Sequence, residues 1–199
     1  MMHKIMWTVL VGVALIMLSC NSTYTPKPKG FFKITFPEKN YTSFNKEGYP
    51  YSFEYPVYAE VIKDSTFFGE QTENPWWINI NFPQFKGKIY ISYKEIGPDK
   101  NNFDKCIHDA YTLSGKHTVK ATGKDDSLVV TKNGVHGMFF KFIGDVATPY
   151  QFYLTDSVKH FLYGAMYLES TPNSDSARPV NDYILQDMKH LIETFNWKK

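Results

Sequence analysis

The 199-residue chain carries 22 Lys and Arg against 20 Asp and Glu, a formal net charge of +2. Arg178 is its sole arginine, and arginine forks are the usual readers of phosphates and bases, so the composition argues against nucleic-acid recognition. Aromatic residues make up 17% of the chain, mostly Tyr and Phe, which suits the strands of a β-rich domain outside the cytoplasm.

At the start, Lys4 supplies a positive charge and Ile5 to Leu18 runs without one. Such an apolar run is short for a bilayer span and matches a bacterial secretory signal. Met17-Leu18-Ser19-Cys20 closes it in the manner of a lipobox, although Met17 stands where Leu is usual. Residues 1–19 are therefore expected to be a lipoprotein signal peptide, with Cys20 as the lipidation site. Acyl chains contribute about 0.8 kcal/mol per buried methylene, so several of them hold a protein to a membrane almost permanently. Residues 20–30 form the lipidated N-terminus and a tether, since Asn21 to Gly30 lacks periodicity and carries Pro26 and Pro28.

Residues 31–199 are expected to form a single α+β domain, an antiparallel sheet flanked by two or more helices. Tyr51 to Ile62 alternates like a strand, with Pro56 at an edge or bulge. Trp76–Phe82 and Lys88–Ile96 alternate around Pro83 to Gly87 and read as a hairpin. A helix is predicted from Phe103 to about Ser114, capped by Asn101-Asn102 and stopped at Gly115. Four strand-like runs follow: Leu128–Thr131, Val135–Ile143, Tyr150–Leu154 and Phe161–Leu168. Asn133-Gly134 is the strongest hairpin signal in the chain. A second helix starts near Pro179 with the stripe Val180, Ile184, Met188, Leu191, Ile192 and Phe195, placing Asp182 and Asp187 on its polar side. Hairpins with two isolated helices argue for α+β rather than a parallel sheet.

Residues that could carry chemistry do not form a credible enzyme signature. Asp156-Ser157-Val158-Lys159-His160 lacks a nucleophile elbow and reads better as a turn. Cys106 and His108, two apart on a helix, point to different sides. With Cys20 acylated, Cys106 is a buried free thiol or an intermolecular link. The histidines show no zinc-site spacing, and the Asp125-Asp126 and Asn173-Ser174-Asp175 clusters lack a calcium-loop pattern. The expectation is a non-catalytic protein with no metal, no cofactor and no small-molecule substrate. Trp76 and Trp77 are adjacent. Either one indole is core and the other lightly exposed, or one of them anchors a partner.

The tether Thr25-Pro26-Lys27-Pro28-Lys29-Gly30, Phe53-Glu54-Tyr55-Pro56-Val57, and Trp77-Ile78-Asn79-Ile80 leading to Phe82-Pro83 occur in a distinctive order. Further along stand Gln151-Phe152-Tyr153, Thr155-Asp156-Ser157, His160-Phe161-Leu162 and Pro172-Asn173. The chain ends on His190-Leu191-Ile192-Glu193-Thr194-Phe195 and Trp197. In order and spacing these stretches resemble the GldD-type gliding-motility lipoproteins of Bacteroidetes. The resemblance implies an outer-membrane lipoprotein required for gliding and for the linked type IX secretion machinery, with those proteins as partners. The C-terminal strand and helix also resemble a PsbP/Mog1-like architecture. Surface lipoproteins of these bacteria carry acidic residues after the lipidated cysteine. Asn21 to Gly30 has none, so an inner-leaflet anchor with the domain facing the periplasm is expected. Asp-Ser pairs place Ser65, Ser127, Ser157 and Ser176 in the kind of site that these bacteria O-glycosylate, or simply in turns. The alternative function is a periplasmic ligand-binding lipoprotein in which Trp76 and Tyr150 stack on a sugar or lipid moiety.

Overall fold

Alternating apolar side chains in the central strands give the sheet two faces, each seeding its own core. The computed structural model describes His3 and residues 33–64, 66–67, 70–169 and 173–198. The chain divides into Met1–Ile34 and Thr35–Lys199, and the architecture below is that of the second unit.

In chain order the strands begin with β1 (Tyr41–Phe44), β2 (Tyr51–Pro56), β3 (Glu60–Lys63), β4 (Thr66–Phe67) and β5 (Glu70–Gln71). Next come β6 (Ile78–Phe82), β7 (Gly87–Glu95) and helix α1 (Lys100–His117). Then β8 (Gly123–Val130), β9 (His136–Ile143), β10 (Tyr150–Thr155) and β11 (His160–Leu168) lead to α2 (Ser174–Thr194) and β12 (Asn196–Trp197). Seven strands pair in the order β3-β6-β7-β11-β10-β9-β8, and β1-β2-β12 form a smaller sheet. Every pairing among the described strands is antiparallel. The protein is therefore α+β, an antiparallel architecture with two helices among the described residues.

One face of the large sheet carries the main core. Ile78, Ile80 and Phe82 of β6, Ile89, Ile91 and Tyr93 of β7, and Leu162 and Met166 of β11 lie there, each almost fully buried. Opposite them α2 inserts Ile184, Met188 and Leu191, and the small sheet adds Tyr51 and Phe53. Each fully buried aliphatic or aromatic side chain is worth about 1.5–3 kcal/mol, which makes this layer the fold's main source of stability. On the other face α1 covers one end of the sheet. Its Cys106 and Ala110 pack on Phe140, Phe142, Tyr153 and Phe161.

Several element boundaries differ from expectation, each for a local reason. The run Tyr51–Ile62 is two strands in two sheets, broken after Pro56 by a turn in which the Ala59 N–H donates to the Pro56 carbonyl. Both helices start upstream of the expected positions. Asp99 caps α1 by accepting the Asn101 N–H, while the Asn102 side chain donates to the Ile96 carbonyl instead. Asn173 caps α2 by accepting the Ser176 N–H, so Pro179 sits inside the helix rather than at its start. The Pro179 ring removes the bond that an N–H there would make to the Asp175 carbonyl, near the tolerant first turn. Helix α1 also runs through Gly115 to His117. Asp187, assigned by periodicity to the polar side of α2, is 2% exposed. Its burial is explained by three partners from the N-terminal part of this unit: Lys39, Tyr41 and Tyr58.

The hairpin signals hold. Pro83–Phe85 make a 3-10 turn that Lys86 leaves in the left-handed region, at φ 49°. Gly134, at φ 72°, turns the chain between β8 and β9. Asn133 beside it donates its side-chain amide to the Phe195 carbonyl at 3.0 Å, pinning this tip to the end of α2.

Candidate functional site

The residues of β7 that turn away from the main core are Tyr90, Ser92 and Lys94, and those of β11 are Phe161, Tyr163, Ala165 and Tyr167. Because α1 covers only one end of this face, a gap remains between the helix and the two strands. It is a groove of about 410 Å³, within the size range of small-molecule sites. Helix α1 lines one side through Cys106, Asp109, Ala110, Leu113 and Lys116, and Asp64, Glu73 and Trp77 close the other.

The aromatic floor is fixed by its own contacts. Tyr90 and Tyr167 pack edge to face with ring centroids 5.3 Å apart, a favoured arrangement for aromatic pairs. The Trp77 Nε1–H donates to the Tyr93 carbonyl at 3.0 Å, which sets the tilt of the indole. The Tyr163 hydroxyl donates to Gln151 Oε1, and the fully buried Gln151 amide donates in turn to Thr148 Oγ1 at 2.8 Å. Burial pushes the Tyr163 and Tyr167 hydroxyls above the ordinary phenol range, so both stay protonated at neutral pH.

Charge collects at the rim. Lys94 lies 3.5 Å from Glu73 and 3.9 Å from Asp109, and all three side chains are substantially exposed. Such pairs add little stability, but they orient hydrogen-bonding groups. Asp64 accepts from the Asn79 side-chain amide at 3.0 Å, while Asn79 Oδ1 is buried without a partner among the described residues. Burial raises the Cys106 thiol above its usual value, so it stays protonated and is a poor nucleophile. Among the described residues no cluster of His, Cys, Asp and Glu could hold a metal ion.

The Asp156–His160 cluster is a turn. The Asp156 carboxylate accepts backbone N–H groups from Val158, Lys159 and His160 at 2.8–3.0 Å. Burial opposes its ionisation, yet these three bonds hold its carboxyl below the usual carboxylate range. Ser157 sits at the tip in the left-handed region, φ 64°. The His160 ring stacks on Trp197 and its Nδ1 lies 2.6 Å from the Tyr93 hydroxyl. Cys106 and His108 also part company, one buried and the other exposed.

The other residues singled out from sequence fall in different places. Trp77 reaches the groove. Trp76 is half-buried and donates its indole N–H to the Gly48 carbonyl at 2.7 Å. Both indoles sit in the turn before β6 rather than on the strand. Tyr150 is 4% exposed, stacked on Phe139 in the main core, so it presents no ring face to a partner or ligand. Ser127, Ser157 and Ser176 are exposed on three separate elements, and Ser65 and Cys20 lie outside the described residues. Tyr90, Lys94, Asp109, Tyr163 and Tyr167 were not identified from sequence. The available signal was that β7 and β11 carry large side chains on both faces, which a strand half-exposed to water does not need.

Among the described residues, no helix is long and apolar enough to cross a membrane. A family model described as "Gliding motility lipoprotein GldD" matches residues 21–197. No curated protein matches the chain. Among solved structures, the chain is similar to the solution structure of cyanobacterial PsbP (CyanoP) from Synechocystis sp. PCC 6803. That similarity has 13% identity and a TM-score of 0.44, covering 86% of this chain and 98% of that one.

Proposed function

The chain belongs to the gliding motility lipoprotein GldD family, and from that premise we propose that it is a non-catalytic, membrane-anchored component of the gliding machinery and of the type IX secretion machinery linked to it. The observation that carries this reading is the extent of the family match, which begins at residue 21, directly after Cys20, and runs to residue 197. Cys20 is the proposed lipid attachment point, and Asn21 to Gly30 the tether that lifts the folded unit off the membrane. The uncharged apolar run before Ser19-Cys20 supports lipidation. The absence of acidic residues from Asn21 to Gly30 supports an inner-leaflet anchor in the outer membrane with the domain facing the periplasm. The two nucleophile-and-base groupings suggested by sequence do not assemble: Asp156–His160 is a turn, and Cys106 and His108 lie on different sides of α1. Exposed Ser127, Ser157 and Ser176, together with Ser65, are proposed O-glycosylation acceptors, readable by intact mass.

The test is deletion of the gene in its native bacterium, complemented with wild type or Cys20→Ala, scoring colony spreading and type IX cargo secretion together. Loss of both, rescued by wild type alone, is expected. Normal spreading and secretion in the deletion strain would overturn the reading.

A further inference from the structure

We propose that β8 is a self-pairing edge, to which a second copy of this chain adds its own β8 in antiparallel fashion, with the two Val129 residues on the two-fold axis. This goes beyond the machine role and does not depend on it.

Strand β8 ends the seven-stranded sheet, and among the described residues no strand pairs with its outer side. Open edges invite pairing with another chain, so proteins blunt them with short strands, charges, prolines or bulges. The opposite edge follows that rule, since β3 has four residues and is bounded by Glu60 and Lys63. Strand β8 does not. It has eight residues, contains no proline, and pairs with β9 in one unbroken register. Its first half is charged and folded back on the protein. Lys124 bonds Asp126 at 3.0 Å and stands 4.6 Å from the ring centroid of Phe140. Its second half is bare: Leu128 is 75% exposed and Val130 63%, and residues two apart share a face of a strand.

Backbone geometry limits the register. The Thr131 N–H donates to the Val135 carbonyl at 3.0 Å. Along β8 the odd-numbered residues therefore bond β9, while Leu128 and Val130 turn their N–H and C=O groups outward. Two copies related by a two-fold axis can then exchange bonds only between even-numbered residues. Pairing centred on Val129 sets Leu128 opposite the second copy's Val130, and Val130 opposite its Leu128, so each exposed side chain gains an apolar neighbour. The same register brings exposed Asp126 against the second copy's exposed Lys132, and Asp125 against its Asn133. Other centres match worse. An axis at Ser127 sets Leu128 against Asp126 and Val130 against Lys124. An axis at Asp126 opposes two carboxylates, and one at Leu128 opposes Lys124 and Lys132, like charges that destabilise a strand pair. Charge and apolar matching thus select the Val129 axis, in which the strand is its own complement. Ser127 stands opposite the second copy's Thr131, so a glycan on Ser127 and this pairing exclude one another.

The test is disulfide trapping of the full chain in intact cells of its native bacterium, with Ser127→Ala to keep that position unmodified. Facing residues of a non-hydrogen-bonded antiparallel pair have Cα atoms about 4.5 Å apart, within disulfide reach. On oxidation, Val129→Cys is therefore expected to give a disulfide-linked species of twice the chain's mass. Leu128→Cys combined with Val130→Cys, two exposed positions, gives a second route to the same dimer. Ser127→Cys, about 14 Å from its copy at about 3.4 Å per residue, should yield at least about tenfold less. In the Val129→Cys chain, Asp126→Lys or Lys132→Asp should each cut the yield about threefold or more, and the two together should restore it. Steady-state levels equal to wild type check that each variant folds. No dimer by either route would overturn the proposal. So would an equal yield from Ser127→Cys, no recovery in the double charge reversal, or a cross-link to a different protein in place of the dimer. None of these outcomes bears on the deletion assay, so this proposal and the machine role fail separately.

Discussion

Lys39 and Asp187, 148 residues apart in sequence, meet at 2.7 Å. The ammonium also donates to the Tyr183 carbonyl at 2.8 Å and stands 3.3 Å from the centroid of the Tyr183 ring. Tyr41 and Tyr58 donate their hydroxyls to the same carboxylate at 3.0 and 2.7 Å. Burial pulls the Lys39 ammonium below the ordinary lysine range, and Asp187 works against that pull. The cluster ties the segment before β1 to the middle of α2. Removing one charge strands the other where water is scarce, a loss of about 3–5 kcal/mol for a buried pair. Lys39 keeps 23% of its side-chain exposure, so Asp187→Asn is expected to cost about 3 kcal/mol in denaturant unfolding of the full chain. An unchanged midpoint would show that the cluster is energetically idle.

Acid should weaken the fold in two stages. Burial holds His160 below the usual imidazole value, while Asp156 and Glu95 act against burial and Lys159 adds to it. Between its folded value and the unfolded value of about 6.5, the unfolded chain binds more protons. This contribution is therefore complete above about pH 6.5 and is lost as pH falls through that window. Asp156, held low by its three backbone bonds, contributes in the same sense, lost as pH falls below about 3.9. The unfolding midpoint should drop between pH 7.5 and 5.5. In His160→Gln, whose amide can still bond Tyr93, that first drop should be smaller. An identical pH profile would remove His160 from the explanation.

Alkali should act through tyrosine. Burial, aided by Asp182, pushes the Tyr150 hydroxyl up to about 12. The unfolded chain releases the phenolic proton near pH 10 while the native chain retains it, so this stability is present below about pH 10 and lost as pH rises toward 12. Phenolate absorbance during an upward titration should rise late and together with loss of near-ultraviolet circular dichroism. Gradual ionisation that precedes unfolding would contradict the assignment.

Gly137 on β9 leaves no room for a side chain. A methyl group there would lie 1.9 Å from the Tyr153 carbonyl oxygen on β10, a backbone atom that cannot move aside cheaply. Gly137→Ala is expected to destabilise by about 2–4 kcal/mol, with near-native helix content in the fraction that folds. Wild-type stability would mean that the β9–β10 pairing differs at that point.

Much of the fold was legible because its signals were local. Period-two alternation located β6 and β7, strand-like apolar and aromatic runs located β10 and β11, and Asn133-Gly134 marked a turn. Strands β1 and β12 were missed because their burial comes from packing on the opposite end of the chain. Tyr41 stacks on His190, and Asn196 and Trp197 pair with Ser52 and Tyr51. Asp187 was misplaced for the same reason, since helical periodicity describes a face but not the lysine and tyrosines that another segment brings to it. The groove was the least legible feature. Trp77 was flagged from sequence, but its neighbours come from β7, β11, α1 and the 64–77 segment. Their meeting depends on α1 stopping short of the full sheet, which is a tertiary fact.

The Lys39 cluster also decides where mechanical load would enter. Just before it, the Pro37 carbonyl accepts the Tyr183 hydroxyl at 2.6 Å, and the Thr35 carbonyl accepts the Gln84 amide at 2.9 Å. A pull arriving through Thr35 therefore meets fastenings to α2 and to the turn after β6 before it reaches the hydrogen bonds between β1 and β2. Tension would be shared by polar bonds that can break and re-form singly, sparing the seven-stranded sheet and its groove from shear.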